Sequence, residues 1–318
     1  KEKRQTLLRQ LLRDKDTPQE SRYALILQAT RQLKDENTDQ IMAIFDDALS
    51  VPQEDAGIYL VKAMLMARHD FPRDEVNAVY RQALAVEPDN EMAQGLLVQN
   101  LAEEERFGEI VDLCKTSLQY TPDNQQLCYF EGFSLFQLKR NDEALASLQK
   151  TVELRDEESD SGMMSDCYSL MGEIYREKGM NKACYEAYDS CLHYAPDNVG
   201  ALNNYAYYLS LDSAADLQKA EQMSLKAVQK EPDNATFLDT YAWILFKEKR
   251  YDDAKTIAER AIASDSTLNS VVVEHCGDIF YMAGDTDRAM EMWQKAAQED
   301  ENNAILRRKI ELKKYIEE

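Results

Sequence analysis

The stretch PDNATFLDTYAWILFKEKRYDDAKTIAERA, which spans residues 232–261, predicts two amphipathic helices joined by a short polar turn. Pro232 cannot continue a preceding helix, and Asp233 and Asn234 are favourable N-cap residues for the next one. The apolar residues that follow recur at offsets of three and four, which places them on one helix face. They are Leu238, Tyr241, Ala242 and Leu245 in the first helix, and Tyr251, Ala254, Ile257, Ala258 and Ala261 in the second.

Two helices of this length cannot bury their apolar faces alone, and the same unit recurs along the chain. The tripeptide Pro-Asp-Asn begins at Pro88, Pro122, Pro196 and Pro232. The steps between them are 34, 74 and 36 residues, and a step of 74 fits two units with a few inserted residues. The sequence therefore predicts an all-α array of about eight helix-turn-helix units in which each unit packs on its neighbours.

This punctuation divides the 318 residues into four predicted segments. Residues 1–54 hold an N-terminal helix and a degenerate first pair, residues 55–158 and 159–303 hold the repeat units, and residues 304–318 form a C-terminal capping helix. The predicted helices and units are 2–14, 19–34, 38–49, 55–67 and 74–86, followed by units at about 165–198, 199–234, 235–268 and 269–303.

Two insertions interrupt the period. The acidic stretch EESDSGMM, residues 157–164, predicts a longer loop that serves as a flexing point, with a merely lengthened helix as the alternative. A second insertion of about two residues is predicted around residues 212–216, in the turn of the unit at 199–234.

The composition favours some partners over others. The net charge is −22, which makes nucleic acid an unfavourable partner and basic peptides or basic protein surfaces electrostatically preferred. The alternative is that the acidic residues are spread over a solvated surface and serve solubility. No run of roughly 18 apolar residues occurs, so the sequence predicts no membrane span.

Small residues and aromatic residues recur at fixed places in the units. One unit carries Tyr168, Met171, Gly172, Tyr175, Cys184, Tyr188, Cys191 and Pro196, and another carries Val273, Cys276, Gly277, Phe280, Ala289, Trp293 and Ala296. The pattern resembles the tetratricopeptide repeat, with its order W-x2-L-G-x2-Y, A-x3-F and P. The resemblance implies a right-handed α-solenoid with terminal capping helices.

The last third also resembles repeat proteins of the Bacteroidetes, through LNNYAYYLSL, FLDTYAWILF and VVEHCGDIFYMAGDTDRAMEMWQKA. Such proteins often carry an N-terminal lipoprotein signal. The resemblance implies a C-terminal portion of an extracytoplasmic protein, periplasmic or associated with the outer membrane. The six cysteines are scattered over the chain and form no CxxC motif, which is not typical of a disulfide framework or a zinc site. Their number favours the alternative of a reducing, cytoplasmic location. Cys184 and Cys191 stand where other units have alanine, which predicts small core residues.

No catalytic, metal or cofactor site is predicted. The three histidines are His69, His193 and His275. His275 and Cys276 are adjacent, but neighbours on a helix point about 100° apart, so they do not form a nucleophile–base pair. The sequence contains no HExxH, GxGxxG, phosphate-binding loop or G-x-S-x-G pattern. An enzyme is therefore not expected.

The resemblance places the first helix of each unit on the concave side of the solenoid. Recurring aromatic residues there would give rigid anchors for a partner, and the neighbouring polar residues could pair with a peptide backbone. The alternative is that the rings pack against the adjacent unit, which is favoured for Phe246. The predicted binding face comprises Tyr129, Phe133, Ser169, Glu173, Arg176, Asn203, Tyr207, Asp239, Trp243, Glu274, Asp278 and Tyr281.

These observations favour a non-enzymatic scaffold that binds a partner protein or an extended peptide in its concave groove. A clamp for a C-terminal carboxylate, known in repeats of this kind, is disfavoured because Tyr207, Asp239 and Trp243 stand where that clamp has Lys, Asn and Arg. Two alternatives remain. One is a structural spacer that self-associates, and the other is an enzyme with a site in the groove.

Overall fold

The computed structural model describes residues 2–32, 38–212, 216–265 and 267–317, and in these ranges the chain forms α-helices and no strand. No helix of the described part is long and apolar enough to cross a membrane. The helices are α1 Glu2–Arg13, α2 Gln19–Gln32, α3 Thr38–Leu49, α4 Gly57–Arg68, α5 Arg73–Val86, α6 Glu91–Glu103, α7 Phe107–Ser117, α8 Gln125–Gln137, α9 Asn141–Glu153, α10 Ser161–Glu177, α11 Asn181–Tyr194, α12 Val199–Ser210, α13 Leu217–Lys230, α14 Ala235–Lys247, α15 Tyr251–Ser264, α16 Ser270–Met282, α17 Thr286–Glu299 and α18 Ala304–Leu312.

The described helices form eight hairpins, from α2 with α3 to α16 with α17, and α1 and α18 flank them. This is the predicted all-α solenoid. The chain divides into two compact units, residues 1–163 and residues 164–318. Within the second unit α12 contacts α14, and α14 contacts α16. The first helices of consecutive hairpins thus form one layer, which we call the inner layer of that unit.

The Pro-Asp-Asn tripeptides mark the helix starts through their asparagine. In each of the four Pro-Asp-Asn tripeptides, the asparagine side chain accepts a hydrogen bond from the backbone N–H three residues later and caps the next helix. Asn269 and Asn303 do the same without a preceding Pro-Asp. The N-cap is therefore the feature that all six helices share, and proline is dispensable for it.

The structure agrees in part with each of the two interpretations of the acidic stretch 157–164, a longer loop and a lengthened helix. Residues 154–160 lie outside any helix, as expected for a loop, and α10 is then lengthened to 17 residues. The flexing role stays a prediction. The predicted end of α2 at residue 34 and most of the insertion near residues 212–216 fall outside the described residues.

The prediction of a helix over residues 304–318 is wrong for its last residues. Helix α18 ends at Leu312, and Lys313 takes a left-handed conformation with φ 51°. The backbone N–H of Lys314 then bonds to the carbonyl oxygen of Lys309 at 3.1 Å, which closes the helix end and turns the chain. Residues 314–317 continue without helical structure.

The two helices of a hairpin touch most closely at one small residue. A Cβ atom added to Gly132 would lie 2.7 Å from Cγ of Leu148, and one added to Gly277 would lie 2.4 Å from Cδ1 of Trp293. Gly172 faces Tyr188 in the same way. Where alanine replaces the glycine, at Ala242, the residue sixteen positions later is small as well, because it is Ala258. At Gly132, Gly172 and Gly277 the second helix carries a large side chain opposite the glycine of the first.

All six cysteines are free thiols and buried. Cys184 and Cys191 are fully buried in the core of the second unit, which confirms their prediction as small core residues.

Each described turn between the two helices of a hairpin from α4 to α17 contains one residue with positive φ. Two of these are glycines, Gly179 and Gly284, and the others are Asp70, Glu105, Lys139 and Lys249. A side chain in this conformation is strained because Cβ approaches the following carbonyl oxygen, and glycine is free of that strain.

Lys249→Gly is expected to raise the free energy of unfolding by about 0.5–1 kcal/mol. Relief of the left-handed strain, about 1–2 kcal/mol, outweighs the extra backbone freedom of glycine in the unfolded chain. Chemical denaturation measures the change, and Lys249→Ala is the control for loss of the side chain. Gly179→Ala should change stability in the opposite direction, since its new Cβ meets no atom within 4 Å and only the backbone strain acts. An unchanged or lower stability of the Lys249→Gly variant would contradict this account.

Gly132→Ala is expected to destabilise the chain by about 1–3 kcal/mol, because the new Cβ overlaps the Leu148 side chain and approaches its backbone nitrogen at 3.2 Å. Combining it with Leu148→Ala recreates the Ala242–Ala258 pair. The double variant should be more stable than the sum of the two single changes predicts. Gly108→Ala is the control, as nothing lies within 4 Å of its added Cβ. Strict additivity in the denaturation experiment would show that the two positions do not meet.

Candidate functional site

The inner layer of the second unit encloses a cavity of about 630 Å³. Residues of α12, α14 and α16 form one wall, and residues from α18 and the chain after it form the other. The volume is within the range of about 300–1,000 Å³ that is common for binding sites. The side chains that define it are Tyr207, Trp243 and His275 on the first wall, and Lys309, Tyr315 and Ile316 on the second.

A stack of three rings builds the first wall. The Trp243 ring lies between His275, at a centroid distance of 4.0 Å, and Phe246, at 4.9 Å. Helical spacing brings Trp243 and Phe246 to one side of α14, and His275 comes from α16. The His275 Nδ1 atom lies 3.0 Å from a carboxylate oxygen of Asp239, which fixes the orientation of the imidazole. The stack is a rigid aromatic surface that is held from both adjacent hairpins.

The indole nitrogen of Trp243 is a further feature of this wall. It is buried and finds no hydrogen-bond acceptor among the described residues. A buried polar group without a partner is costly, and one at a binding site is a ready donor for a ligand. Lys247 also lines the cavity, with its Nζ atom 5.6 Å from the centre of the Trp243 ring.

A buried lysine holds the second wall in place. Lys309 is 1% exposed, and its Nζ atom lies 2.7 Å from Oε1 of Glu274 and 2.8 Å from Oδ2 of Asp278. The remaining carboxylate oxygens accept hydrogen bonds from Asn303 and from the Trp293 indole, each at 2.9 Å. Removal of one partner from such a buried pair typically costs about 3–5 kcal/mol, so α18 is firmly attached to α16.

The carboxylates set the protonation of both buried bases. Burial alone would lower the pKa of Lys309, but Asp278 and Glu274 outweigh it, and the pKa is raised. The same holds for His275, where burial opposes the charged form and Asp239, with help from Asp278 and Glu274, raises the pKa above its ordinary value. Both groups therefore favour their cationic forms.

The structure brings four residues of the predicted binding face to this cavity, namely Tyr207, Trp243, Glu274 and Asp278. Trp243 is 8% exposed, so its ring packs almost entirely within the protein. The carboxylates of Glu274 and Asp278 are occupied by Lys309.

The other predicted residues of the second unit have partners within the chain. Asn203 and Asp239 are buried, and Tyr281 packs against Trp293 at 5.5 Å between ring centroids. Glu173 accepts hydrogen bonds from the hydroxyl groups of Tyr188 and Tyr208.

Arg176 and Asn204 make further contacts within the chain. Arg176 donates to Asn181 and lies over the ring of Tyr208. Asn204 of α12 donates to Glu173 of α10 at 3.2 Å. These contacts connect α10, α11 and α12, so Glu173 and Arg176 have structural roles in addition to their predicted one.

Two predicted residues belong to the first unit. Tyr129 lines a separate cavity of about 440 Å³ beside Phe130 and the loop that carries Asp156 and Ser159. Phe133 packs against Phe107 at a centroid distance of 5.9 Å.

His275, Lys309 and Tyr315 contribute to the site although the sequence did not point to them. The sequence shows His275 only as a neighbour of Cys276, with which it forms no catalytic pair. In the structure its ring stacks on Trp243 of the preceding hairpin. Cys276 lies in the core, where burial raises the pKa of its thiol. Lys309 could have been found, since it is three residues after Leu306 in a helix that must bury one face.

No group of three or more His, Cys, Asp or Glu side chains in the described part of the chain is arranged to hold a metal ion.

The stability of the second unit should depend on pH through His275. Its raised pKa means that its contribution is fully present below about 6.5, its ordinary value, and is lost as pH rises through the folded-state value. The advantage of the wild type over His275→Gln in unfolding free energy should therefore fall as the pH rises above about 6.5. The expected loss is about 1.4 kcal/mol for each pH unit between the ordinary and the raised pKa. NMR titration of the imidazole provides the second readout. A flat difference, or titration of His275 below pH 6.5, would contradict the assignment.

Comparisons with known proteins give matches at the level of structure. No family model and no curated protein matches the sequence. The chain is similar to the crystal structure of a tetratricopeptide repeat protein from Parabacteroides merdae, with a TM-score of 0.53, 14% identity, and coverage of 81% of this chain and 98% of that one. It is also similar to YrrB, a tetratricopeptide repeat protein with an unusual peptide-binding site, with a TM-score of 0.51, 11% identity, and coverage of 59% and 93%.

A third similar structure is the Cut9–Hcn1 hetero-tetramer of the APC/C, with a TM-score of 0.53, 13% identity, and coverage of 87% of this chain and 53% of that one. At such identities the matches establish the fold alone, and the fold agrees with the eight hairpins and the repeat pattern of the sequence. The chain therefore has the fold of these tetratricopeptide repeat proteins.

Proposed function

We propose that this chain is a non-enzymatic scaffold that binds an extended segment of a partner protein at the inner layer of its second unit. The observation that carries the proposal is the cavity lined by Trp243, whose ring is held in a stack and whose buried indole N–H has no acceptor in the part of the chain that the structure describes. Rigid aromatic anchors lose little conformational freedom on binding, and the indole N–H would donate to a backbone carbonyl of the segment.

The charges around the cavity indicate which residue types such a segment carries. Lys309 pairs with Glu274 and Asp278 and compensates one of their two negative charges, and Lys247 brings a second positive charge to the Trp243 ring, so the cavity is suited to apolar or aromatic side chains. The chain as a whole carries −22, which attracts basic residues on either side of an apolar core. The partner segment is therefore apolar in the cavity and basic at its flanks.

The similar structures support the general role. YrrB has a peptide-binding site, and Cut9 assembles with Hcn1. These statements concern those proteins. They support interaction as the function of this fold and leave the partner of this chain to experiment. An extracytoplasmic location, as implied by the resemblance to Bacteroidetes repeat proteins, remains part of the proposal.

The alternative of an enzyme has less support. The Cys276 thiol has a raised pKa through burial, which disfavours the nucleophilic thiolate. The imidazole of His275 stacks on Trp243, lies beside the tilted ring of Tyr207 and is hydrogen-bonded to Asp239. An unusual titration of His275 is thus expected for structural reasons and would not by itself indicate catalysis.

The alternative of self-association rested on the basic C-terminal helix and the acidic body. Lys309 of that helix already pairs with two carboxylates of its own chain. A sedimentation experiment that finds a monomer at high protein concentration would remove this alternative.

A photo-crosslinking residue in place of Tyr207 tests the proposed function. We expect it to form an adduct with one segment of a partner in cells that produce the protein, since Tyr207 lines the cavity. The matched control is the same residue at Tyr120, which is 54% exposed in the first unit and distant in sequence. Trp243→Phe, which removes only the indole N–H and part of the ring, should reduce the Tyr207 adduct several-fold. Equal adducts at both positions, or no effect of Trp243→Phe in a folded protein, would contradict the proposal.

A further inference from the structure

The chain after α18 returns to the cavity. Helix α18 ends at Leu312, and the left-handed Lys313 with the bond from Lys314 N–H to Lys309 C=O redirects the backbone. Tyr315, Ile316 and Glu317 then line the same cavity as the Trp243 stack. We call residues 313–317 the C-terminal tail.

The tail contacts the stack through the ring of Tyr315. The ring of Tyr315 meets Phe246 edge to face, at a centroid distance of 5.5 Å and an angle of 78°. The Lys309 ammonium lies 5.6 Å from the centre of the Tyr315 ring. Tyr315 and Ile316 are half-buried, whereas Lys313 and Lys314 are exposed. The tail thus places an aromatic and an aliphatic side chain at the cavity and keeps its two positive charges in solvent.

Attachment of the tail is weaker than that of the helix before it. Lys309 is buried and bonded to two carboxylates, so displacing α18 would expose an ion pair. Tyr315 and Ile316 are only half-buried, whereas Lys309 is 1% exposed, and the backbone at Lys313 has the strain of a non-glycine residue with positive φ. The difference allows the tail to leave the cavity while α18 stays.

We propose that the C-terminal tail is an intramolecular ligand of this groove, and that the partner is a protein segment with the same chemistry: basic residues followed by an aromatic and an aliphatic residue. The inference rests on the proposed function and adds the partner class and its competitor. Because the tail belongs to the same chain, its effective concentration at the cavity is high, and a partner must displace it.

Charge agrees with this partner class. Lys313 and Lys314 give the tail a positive charge next to a chain of net charge −22, and an external segment with the same arrangement would gain the same attraction. The basic flank and the apolar core of the tail match the requirements that the cavity sets for a partner.

The probe for this proposal is a fluorescent peptide with the sequence KKYIE, which is the tail itself, residues 313–317 of the chain. Binding to the full-length protein is followed by fluorescence anisotropy. We expect Tyr315→Ala to bind the peptide about ten-fold more tightly than the wild type, because the ring contact that the intramolecular tail loses is worth about one order of magnitude. Tyr315→Leu, which keeps apolar bulk, should give a smaller increase.

Two controls define the site. The peptide with alanine in place of its tyrosine should bind neither protein. Tyr194→Ala, at a half-buried tyrosine that stacks on Tyr168 and does not line the cavity, should leave peptide affinity at the wild-type value. Acrylamide quenching gives a second readout. Trp243 should become more accessible in Tyr315→Ala, whereas Trp293 is fully buried and should stay protected.

The outcomes separate the two proposals. Tighter peptide binding and greater quenching in Tyr315→Ala support the intramolecular ligand. Unchanged peptide affinity and unchanged quenching overturn it, and the proposed function then stands or falls on the adduct at Tyr207. Peptide binding that does not depend on the tyrosine of the peptide also overturns it, because the recognised element would then be charge alone.

Discussion

The closest approach between the two helices of each hairpin is the constraint on which the other features depend. At Gly132, Gly172 and Gly277 there is no room for a Cβ atom, because a large side chain of the second helix fills that space. The first helix must therefore turn its small side toward its own hairpin. Its larger residues are directed to the neighbouring hairpins and the inner layer, which is why Trp243 and His275 meet there although they are 32 residues apart.

At the end of the second unit, the close approach at Gly277 is linked to a network of buried polar side chains. Gly277 admits Trp293, and the Trp293 indole donates to Asp278. Asp278 and Glu274 in turn require a cation, which α18 supplies as Lys309. A repeat array needs a terminal helix to cover its last apolar face. Here α18 is also held by the ion pairs of Lys309 with Glu274 and Asp278. The turn at Lys313, which ends the helix, directs the tail to the cavity.

Features governed by neighbours in sequence could be predicted from the sequence, and features that depend on distant packing could not. The asparagine caps and the hairpins follow from local patterns, and the structure confirms them. The burial of Trp243 depends on a histidine in the next hairpin, and the end of α18 at Leu312 depends on a turn with positive φ at a lysine. Neither has a local signal, since left-handed turns usually call for glycine. The predicted concave face therefore included residues such as Asp239 that the structure pairs internally.

The central claim is that the tail and an external segment occupy one site. The most direct measurement is the distance between spin labels at Glu317→Cys and Ala263→Cys, both exposed positions in the second unit, in a chain whose native thiols are buried. We expect one short, narrow distance distribution in the free protein, and a longer and broader one when the KKYIE peptide saturates the Tyr207 cavity. A distribution that stays unchanged while the peptide is bound would contradict the account.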